Sequence, residues 1–466
     1  MQRRAVWSIF MALAGLGVLA GGAMAAGPVS SAKSEAPKPV SFQKQIQPIL
    51  QRRCQGCHQP ASRGGKLAVT SYALLKAGGM SGQVFRPGDP EKSLLIQYVS
   101  GPEPKMPKGG PPLPPEQVSL LRRWVLEGGR DDSVAAKALF TAEHPPLYHL
   151  APVITALAYS PDGKTLAVSG YHEVLLHHAD GSGLIARLVG NSDRIDSLAY
   201  SPDGKLLAAG GGIPARTGEV QFWDTATNRL KNAASTTYDT LFGCSFSPDG
   251  KLLAFGAADN SARVISVPDG KEVLKLDNHG DWVLGTAFSR DGKDLVTASR
   301  DQAIKLTVVE NGSFVDDINR HLSTVLCLAR HPKEDQVLCG GGDGIPRLYQ
   351  IFRTHVRTMM QEDYNLLREF ERQPGPINAV AFSPDGELAA VASTDGTVRV
   401  YRVKDGTRVA TLRGAQGALF SVAFRPDGKQ VAVGGLDGQV RLFALPTGQL
   451  AKAFVPVPLA SRVAAR

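Results

Sequence analysis

The sequence lacks runs of like charge, and beyond its first residues it has no apolar segment long enough to predict a membrane span. Its 466 residues include 52 Lys and Arg against 43 Asp and Glu, a formal net charge of +9. The basic residues are spread thinly and without interleaved aromatic residues, which argues against nucleic acid as a partner. No Ser-His-Asp arrangement, phosphate-binding loop or pair of carboxylates is recognisable, so the sequence favours no stand-alone enzyme.

The first residues have the three parts of an export signal. Two arginines precede an apolar stretch over residues 5–20, and Ala23 and Ala25 supply the small side chains of a cleavage site. The apolar stretch is shorter than the about 20 residues that a membrane-spanning helix needs. We therefore expect residues 1–26 to be a signal peptide, and the mature protein to be soluble in the periplasm.

Only five cysteines occur, and two of them form a C-x-x-C-H run, Cys54, Cys57 and His58. This spacing is typical of covalent haem c attachment, in which both thiols bond to the haem vinyl groups and the histidine binds the iron. A zinc site would need a second pair of ligands, and a redox dithiol belongs in a βαβ context that is missing here. The other cysteines are isolated, at Cys244, Cys327 and Cys339. The run predicts one covalent haem c with His58 as the proximal ligand of the iron.

Two methionines are candidates for the distal ligand. Met106 lies in a Pro- and Gly-rich loop just before a predicted helix, and Met80 lies between two glycine-containing pairs. A methionine among Pro, Gly and Lys has little core to join, and this favours Met106, with Met80 as the alternative. His/Met ligation raises the reduction potential and favours electron transfer over catalysis at the haem.

Helical periodicity flanks the run. Apolar residues at helical spacing lead into Cys54, with Pro48 at a kink or near the true start of that helix. A second helix follows Pro114-Pro115-Glu116 and ends at Gly128-Gly129, and a shorter one is expected over residues 93–99. These patterns predict a small all-α domain over residues 41–130.

Further residues of this stretch form a recognisable pattern. They are the Pro-Ile-Leu before the run, Gly78-Gly79, Ser81-Gly82, Pro87-Gly88-Asp89-Pro90, Ser93-Leu94-Leu95, Met106-Pro107, Trp124 and Gly128. Residues 41–130 thereby resemble the planctomycete-type cytochrome c domain, with Gln59 where that family usually has glycine. The resemblance implies a class I-like cytochrome c fold that binds haem through Cys54, Cys57, His58 and Met106.

The second half of the chain is repetitive. A Ser-Pro-Asp-Gly motif begins at Ser160, Ser201, Ser247 and Ser383, with degenerate copies at Ser289, His331 and Arg425. A period in the forties with four short strands per unit predicts the blades of a propeller. In the sixth unit, strands are expected over residues 377–382, 388–393, 397–403 and 408–413. Residues 150–455 resemble WD repeats, although only Trp223-Asp224 keeps the characteristic dipeptide, and seven repeats imply an all-β seven-bladed propeller.

Polar residues recur at fixed places in these units. His279 and His321 precede two inner strands, and Asp residues occupy the tight turn before the third strand, at Asp259, Asp301, Asp343, Asp395 and Asp437. We expect them to form hydrogen bonds that fix the turns. Cys327 and Cys339 fall on predicted neighbouring strands, and the sequence leaves open whether they form a disulfide or stay buried free thiols.

The expected organisation is a signal peptide (1–26), a flexible linker (27–40), the cytochrome c domain (41–130), a second linker (131–149), the seven-bladed propeller (150–455) and a tail (456–466). We expect an exported c-type cytochrome that transfers single electrons through one covalent haem, while the propeller docks an acidic protein redox partner. A cytochrome joined to a propeller resembles the arrangement of haem-containing nitrite reductases, whose eight-bladed propeller binds a second haem, although the count here is seven. The alternative is therefore a periplasmic oxidoreductase with a second cofactor or active site in the propeller, where His172, His177 and His178 form the one local histidine cluster.

Overall fold

A computed structural model describes residues 39–59, 62–132, 140–320, 322–354, 363 and 365–460. The predicted signal peptide, nearly all of the first linker, the middle of the second linker and His321 lie outside the described residues. Most of the extra residues between the fifth and sixth repeats also lie outside them. Within the described ranges, no helix is long and apolar enough to cross a bilayer.

The N-terminal region is small and mainly helical. Its helices are α1 (Gln47–Arg53), α2 (Tyr72–Ala77), α3 (Leu94–Val99) and α4 (Pro115–Leu126). A π-helical turn, Phe42–Ile46, runs directly into α1, so Pro48 lies in the first turn of α1, where its missing N–H is tolerated. The expectation of an all-α domain needs one correction. At the end of the C-x-x-C-H run, β1 (His58–Gln59) pairs with β2 (Ser62–Arg63) and a 3-10 turn follows.

An aromatic cluster forms the core of this region. The Phe85 and Trp124 rings are 4.8 Å apart between centroids, and Phe42 packs against both Tyr72 and Trp124. The polar atoms of the cluster are satisfied at the end of α4, where Trp124 Nε1 donates to the Arg130 carbonyl and the Tyr72 hydroxyl donates to the Gly129 carbonyl. Burial of these rings fixes α4 across the N-terminal helical turn, because large aromatic side chains dominate the energetics of a small core.

The rest of the described chain is β structure in WD-like repeats, arranged as one seven-stranded and five four-stranded antiparallel sheets. The seven-stranded sheet comprises β3 (Leu157–Tyr159), β4 (Thr165–Ser169), β5 (Tyr171–His178), β6 (Leu184–Tyr200), β7 (Leu206–Ile213), β8 (Thr217–Asp224) and β9 (Arg229–Thr237). The next two sheets are β10 (Leu241–Phe246), β11 (Leu252–Ala257), β12 (Ala262–Ser266) and β13 (Glu272–Leu276), then β14 (Val283–Phe288), β15 (Asp294–Ser299), β16 (Ile304–Val308) and β17 (Phe314–Asp317). The last three are β18 (Val325–Arg330), β19 (Gln336–Gly341), β20 (Arg347–Gln350) and β21 (Leu366–Glu369); β22 (Ile377–Phe382), β23 (Leu388–Ser393), β24 (Val398–Arg402) and β25 (Arg408–Leu412); and β26 (Leu419–Phe424), β27 (Gln430–Gly435), β28 (Val440–Ala444) and β29 (Gln449–Phe454).

The seven-stranded sheet combines the first two repeats. Its strand β6 is 17 residues long. The first part of β6 pairs with β5 as the outer strand of the first repeat, and the second part pairs with β7 as the inner strand of the second repeat. Arg194 pairs in both directions, with Tyr171 and with Gly212. The connection between these two repeats is therefore extended rather than turned.

The first strand of each repeat contacts the first strand of the next. This holds from β3 through β6, β10, β14, β18 and β22 to β26, and β26 in turn contacts β3. The backbone N–H of Ile154, just before β3, donates to the Gly435 carbonyl in the last repeat. The two ends of the repeat region are thus directly joined.

Parts of the predicted second linker and tail are also packed. Tyr148 forms a parallel bridge with Leu459, and the Ala460 N–H donates to the Tyr148 carbonyl. Tyr148 and Val457 are both buried in the apolar core shared by the first and last repeats. The chain entering the repeats and the chain leaving them therefore lie side by side.

Candidate functional site

The C-x-x-C-H run forms a tight turn at the end of α1. The Cys54 N–H still bonds to the Leu50 carbonyl, and the Cys54 carbonyl accepts from the N–H groups of both Cys57 and His58. This turn brings the three side chains close together in the chain, with Cys57 exposed and Cys54 half-buried against the apolar core. Burial raises the pKa of the Cys54 thiol to about 11, so that thiol is protonated at neutral pH.

The His58 imidazole is oriented by the backbone. Its Nδ1 lies 2.8 Å from the Gly64 carbonyl oxygen. Because a carbonyl can only accept, Nδ1 carries the proton and Nε2 keeps its lone pair for a metal. The Gly64 N–H donates to the Cys57 carbonyl, and the Val69 N–H donates to the His58 carbonyl, so the following loop is tied to the run on both sides.

Gly64 is a site residue that the sequence reasoning missed. A Cβ at this position would lie 3.0 Å from the Cys57 carbonyl oxygen and 3.3 Å from His58 Cε1. The close approach of the backbone to the imidazole therefore favours glycine, because a side chain would need the neighbouring atoms to shift by a few tenths of an ångström. The signal was present as the Gly64-Gly65 pair six residues after the histidine, but the bond it makes depends on the loop conformation.

The two candidate methionines have different environments. Met106 is half-buried and packs against the same apolar cluster as Cys54, and its N–H donates to the Tyr98 carbonyl at the end of α3. Met80 is 73% exposed. Only Met106 of the two therefore shares an apolar environment with the C-x-x-C-H run.

The donor atoms fit a covalently bound haem. Two thiols flank a turn that ends in an imidazole with a free Nε2, and a thioether lies on the adjoining apolar cluster. Within the described ranges, no group of three or more His, Cys, Asp or Glu side chains is arranged to hold a metal ion.

The structure does not bring the histidines of the first repeat together. His177 Nε2 bonds to the Pro456 carbonyl and its ring packs against Phe454. His172 instead lies next to Asp193, and its Nε2 is 3.0 Å from Oδ1 of that carboxylate. His178 is exposed at the end of β5. These histidines lie in three separate environments.

The recurring polar residues fix turns. The side chains of Asp259, Asp301, Asp343, Asp395 and Asp437 all accept backbone N–H groups from their own turns. His279 contacts both β15 and the turn that follows it. Its Nε2 lies 2.8 Å from Thr297 Oγ1 in β15, and its Nδ1 lies 2.9 Å from Asp301 Oδ2 in the turn. Burial lowers the pKa of His279, so this histidine is neutral at physiological pH.

The cysteines of the fifth repeat point to different sides of their sheet. Cys327 is directly opposite Gly340, and Cys339 is directly opposite Leu328. Neighbouring register positions face opposite sides of a sheet. Cys327 accordingly packs with Ile377 and Tyr401, and Cys339 with Tyr349. Both are free thiols, which decides the question that the sequence left open.

A cavity of about 800 Å³ lies among the first strands of the repeats. Residues from all seven repeats line it, including Asp196, Phe242, Leu326 and Phe420. Five of these first strands contain a bulge where they line the cavity, because their pairing with the following strand shifts there by one residue. These strands are β6, β14, β18, β22 and β26. Sequence reasoning located no such cavity, because it depends on how the sheets are arranged around one another.

Comparison with known families assigns parts of the chain. Residues 54–110 match the planctomycete cytochrome C model. Residues 182–224, 234–266 and 270–307 match the WD domain, G-beta repeat model, and residues 380–458 match the model of the anaphase-promoting complex subunit 4 WD40 domain. The chain therefore combines a cytochrome c segment with WD repeats.

Curated relatives match over short segments. A serine-threonine kinase receptor-associated protein from Bos taurus is 37% identical over 83 residues, which is 17% of this chain and 20% of the relative. The Gallus gallus protein of the same name is 36% identical over 87 residues, 18% of this chain and 21% of the relative. WD repeat-containing protein 1 from Bos taurus is 37% identical over 79 residues, 17% of this chain and 12% of the relative. The chain thus spans about a fifth or less of the length of these relatives.

Proposed function

We propose that this protein is an exported electron-transfer protein that carries one covalent haem c on residues 41–130. The observation that supports this most directly is the bond between His58 Nδ1 and the Gly64 carbonyl, beside the thiols of Cys54 and Cys57. It orients the imidazole and leaves Nε2 free for iron. The match to a cytochrome c family over residues 54–110 supports the same cofactor.

In this proposal, Cys54 and Cys57 would hold the haem through thioether bonds, and His58 and Met106 would bind its iron. When bound, the haem supplies an iron that changes its charge by one electron. The chain contributes the environment. The Tyr98 carbonyl fixes the backbone of Met106, and the apolar cluster that Met106 and Cys54 adjoin excludes water, which favours a high reduction potential.

The repeats in this proposal form one closed seven-bladed propeller over residues 150–455. Three features support it. The seven-stranded sheet contains two four-stranded units that share β6, which with the other five sheets gives seven units. The first strands contact one another in a closed sequence from β3 back to β3. The Ile154–Gly435 hydrogen bond joins the last unit to the first, and radial repetition of this kind leaves only short, protected sheet edges.

WD repeats suggest protein–protein interaction, so the propeller is proposed to dock the redox partner. The net charge of +9 favours an acidic partner. The haem domain is proposed to lie between two linkers, residues 27–40 and 131–149, and the chain to end in a tail, residues 456–466. The proposed location is the periplasm, after cleavage of a signal peptide over residues 1–26. A tether beside a docking surface raises the effective concentration of the haem near the partner.

A haem count on the full chain, produced with the c-type haem assembly machinery, tests this proposal. We expect one haem per chain by the pyridine haemochrome spectrum, and this haem should resist extraction by acidified acetone. The double variant Cys54→Ser/Cys57→Ser should carry no covalent haem, whereas Cys339→Ala, which removes a thiol in the repeats, should carry one. A second haem or another chromophore in the repeats would favour the oxidoreductase alternative, and absence of haem from the wild-type chain would refute the proposal.

A further inference from the structure

The first strands of the repeats end on large side chains directly before the Ser-Pro-Asp-Gly turn or its degenerate form. Six of these residues are aromatic: Tyr159, Tyr200, Phe246, Phe288, Phe382 and Phe424. The seventh, at the end of β18, is Arg330. A single cationic residue thus occupies a position that is otherwise aromatic.

Arg330 borders a cavity of about 370 Å³ at the turn end of the strands. Tyr159, Phe382 and Phe424 also line it, together with the prolines at the second position of four of the turns. The walls are therefore rigid and largely apolar, because proline and aromatic rings have few rotatable bonds. Arg330 supplies the positive charge among these lining residues.

The Arg330 guanidinium has no partner among the described residues. It takes part in no hydrogen bond or ion pair there, and its Nη1 is completely buried. Burial lowers its pKa, an effect that the charge of Asp335 opposes and the charge of Arg290 reinforces. The Asp335 carboxylate instead accepts the backbone N–H of Arg290, at 2.8 Å.

Three buried arginines of the repeats are paired, whereas Arg330 is half-buried with a buried, unpaired Nη1. Arg263, Arg347 and Arg441 each form an ion pair with the turn aspartate four residues earlier, at distances of 2.7 to 2.9 Å. A buried donor that lacks an acceptor is destabilising, and the penalty is larger for a charged group. The contrast indicates that Arg330 serves something other than the stability of its own repeat.

We propose that this cavity binds a carboxylate side chain of a protein partner, with the Arg330 guanidinium as its anchor. The planar guanidinium matches a carboxylate through two parallel hydrogen bonds. The proline and aromatic walls contact the apolar residues that flank the acidic one. This inference rests on the proposal that the repeats dock a partner, and the positive net charge of the chain agrees with an acidic occupant.

Two small probes that differ only in charge test the site on the full chain. By titration calorimetry and saturation-transfer NMR, 3-phenylpropionate should bind at least tenfold more tightly than 3-phenylpropionamide. Arg330→Phe, which installs the residue type of the other repeats, should remove that difference, and Arg330→Gln should do the same with a polar side chain. Arg330→Lys should retain part of the difference in affinity, because lysine keeps the positive charge but cannot form the two parallel hydrogen bonds of a guanidinium. Arg413→Ala, which removes an exposed arginine at the opposite end of the strands, should leave it unchanged.

The results separate this site from the proposed function. Equal binding of the acid and the amide, undiminished binding by Arg330→Phe, or equally tight binding of inorganic phosphate would each overturn the carboxylate site. None of those outcomes would change the haem count. Conversely, a chain without covalent haem that still binds 3-phenylpropionate through Arg330 would retain this site and refute the electron-transfer proposal.

Discussion

The Tyr148 hydroxyl donates a hydrogen bond of 2.7 Å to Oε1 of Glu173, a carboxylate whose side chain is completely buried. Arg187 completes this arrangement, because its guanidinium pairs with both oxygens of Glu173 and also donates to the Pro146 carbonyl. Tyr148 lies where the chain enters the repeats, and the tail bonds to its backbone carbonyl. One buried carboxylate thus fastens the segment that connects the two structural regions.

We expect Tyr148→Phe to destabilise the repeats by about 1–3 kcal/mol, because it removes one hydrogen bond to the buried Glu173 carboxylate and leaves the Tyr171 N–H without its partner. Urea unfolding followed by far-UV circular dichroism measures this. Tyr171→Phe is the matched control, since among the described residues the Tyr171 hydroxyl makes no hydrogen bond. Equal midpoints for Tyr148→Phe and Tyr171→Phe would show that the Tyr148–Glu173 bond contributes nothing to stability.

Replacement of the proposed distal ligand should change the haem without removing it. Met106→Ala should lower the reduction potential by a sizeable fraction of the about 0.8 V range that axial ligands set, and abolish the weak sulfur-to-iron absorption at the red end of the spectrum. Redox titration and visible spectroscopy provide the two measurements. Met80→Ala, at an exposed position, should leave both unchanged. The assignment of Met106 fails if Met80→Ala produces these changes instead.

Protonation of His279 should destabilise the fourth repeat. Burial lowers its pKa from the ordinary value of 6.5 more than the neighbouring Asp301 raises it. The unfolded chain therefore binds a proton at a higher pH than the folded chain, and stability is lost as pH falls below about 6.5. His279→Gln does not titrate, so its unfolding free energy should decrease less between pH 7.5 and pH 5.5 than that of the wild type. Equal decreases in urea unfolding experiments would contradict the role of this histidine.

Local sequence patterns predicted the strands well. In the sixth repeat the expected strands agree with β22 to β25 to within one residue at each end. The turn residues that separate them specify these boundaries by their own hydrogen bonds, as Ser383 and Asp385 do. The continuous strand β6 was not predicted, because the repeat pattern assigns four short strands to each unit, whereas Arg194 pairs with both β5 and β7 and so makes two of those strands one element.

The residues of the candidate site were predictable only where they lie close together in the sequence. Cys54, Cys57 and His58 are recognisable by spacing alone, but the hydrogen bond that fixes the His58 tautomer depends on a loop that returns to the imidazole at Gly64. The Arg330 cavity combines residues of four repeats that are far apart in the chain. Such arrangements follow from packing between sheets, which a periodic pattern does not encode.

Gly64→Ala tests whether this loop is needed to hold the imidazole. The new Cβ would press on the Cys57 carbonyl oxygen and the His58 ring, so the bond to His58 Nδ1 should lengthen or break. We expect a destabilisation of about 1–3 kcal/mol, a typical cost of overpacking. A lower haem content per chain and a shifted reduction potential should accompany it, since the second hydrogen bond of a ligating histidine sets its orientation and basicity.

Gly56→Ala provides the matched control within the same turn, because a Cβ on Gly56 meets no atom within 4 Å and its φ is not positive. It makes the same chemical change two residues before His58 and should leave haem content, reduction potential and stability close to wild type. Redox titration and the haemochrome assay on both variants decide the matter. If Gly64→Ala behaves like Gly56→Ala, the Gly64 carbonyl does not orient the imidazole, and the free Nε2 inferred from that bond loses its support.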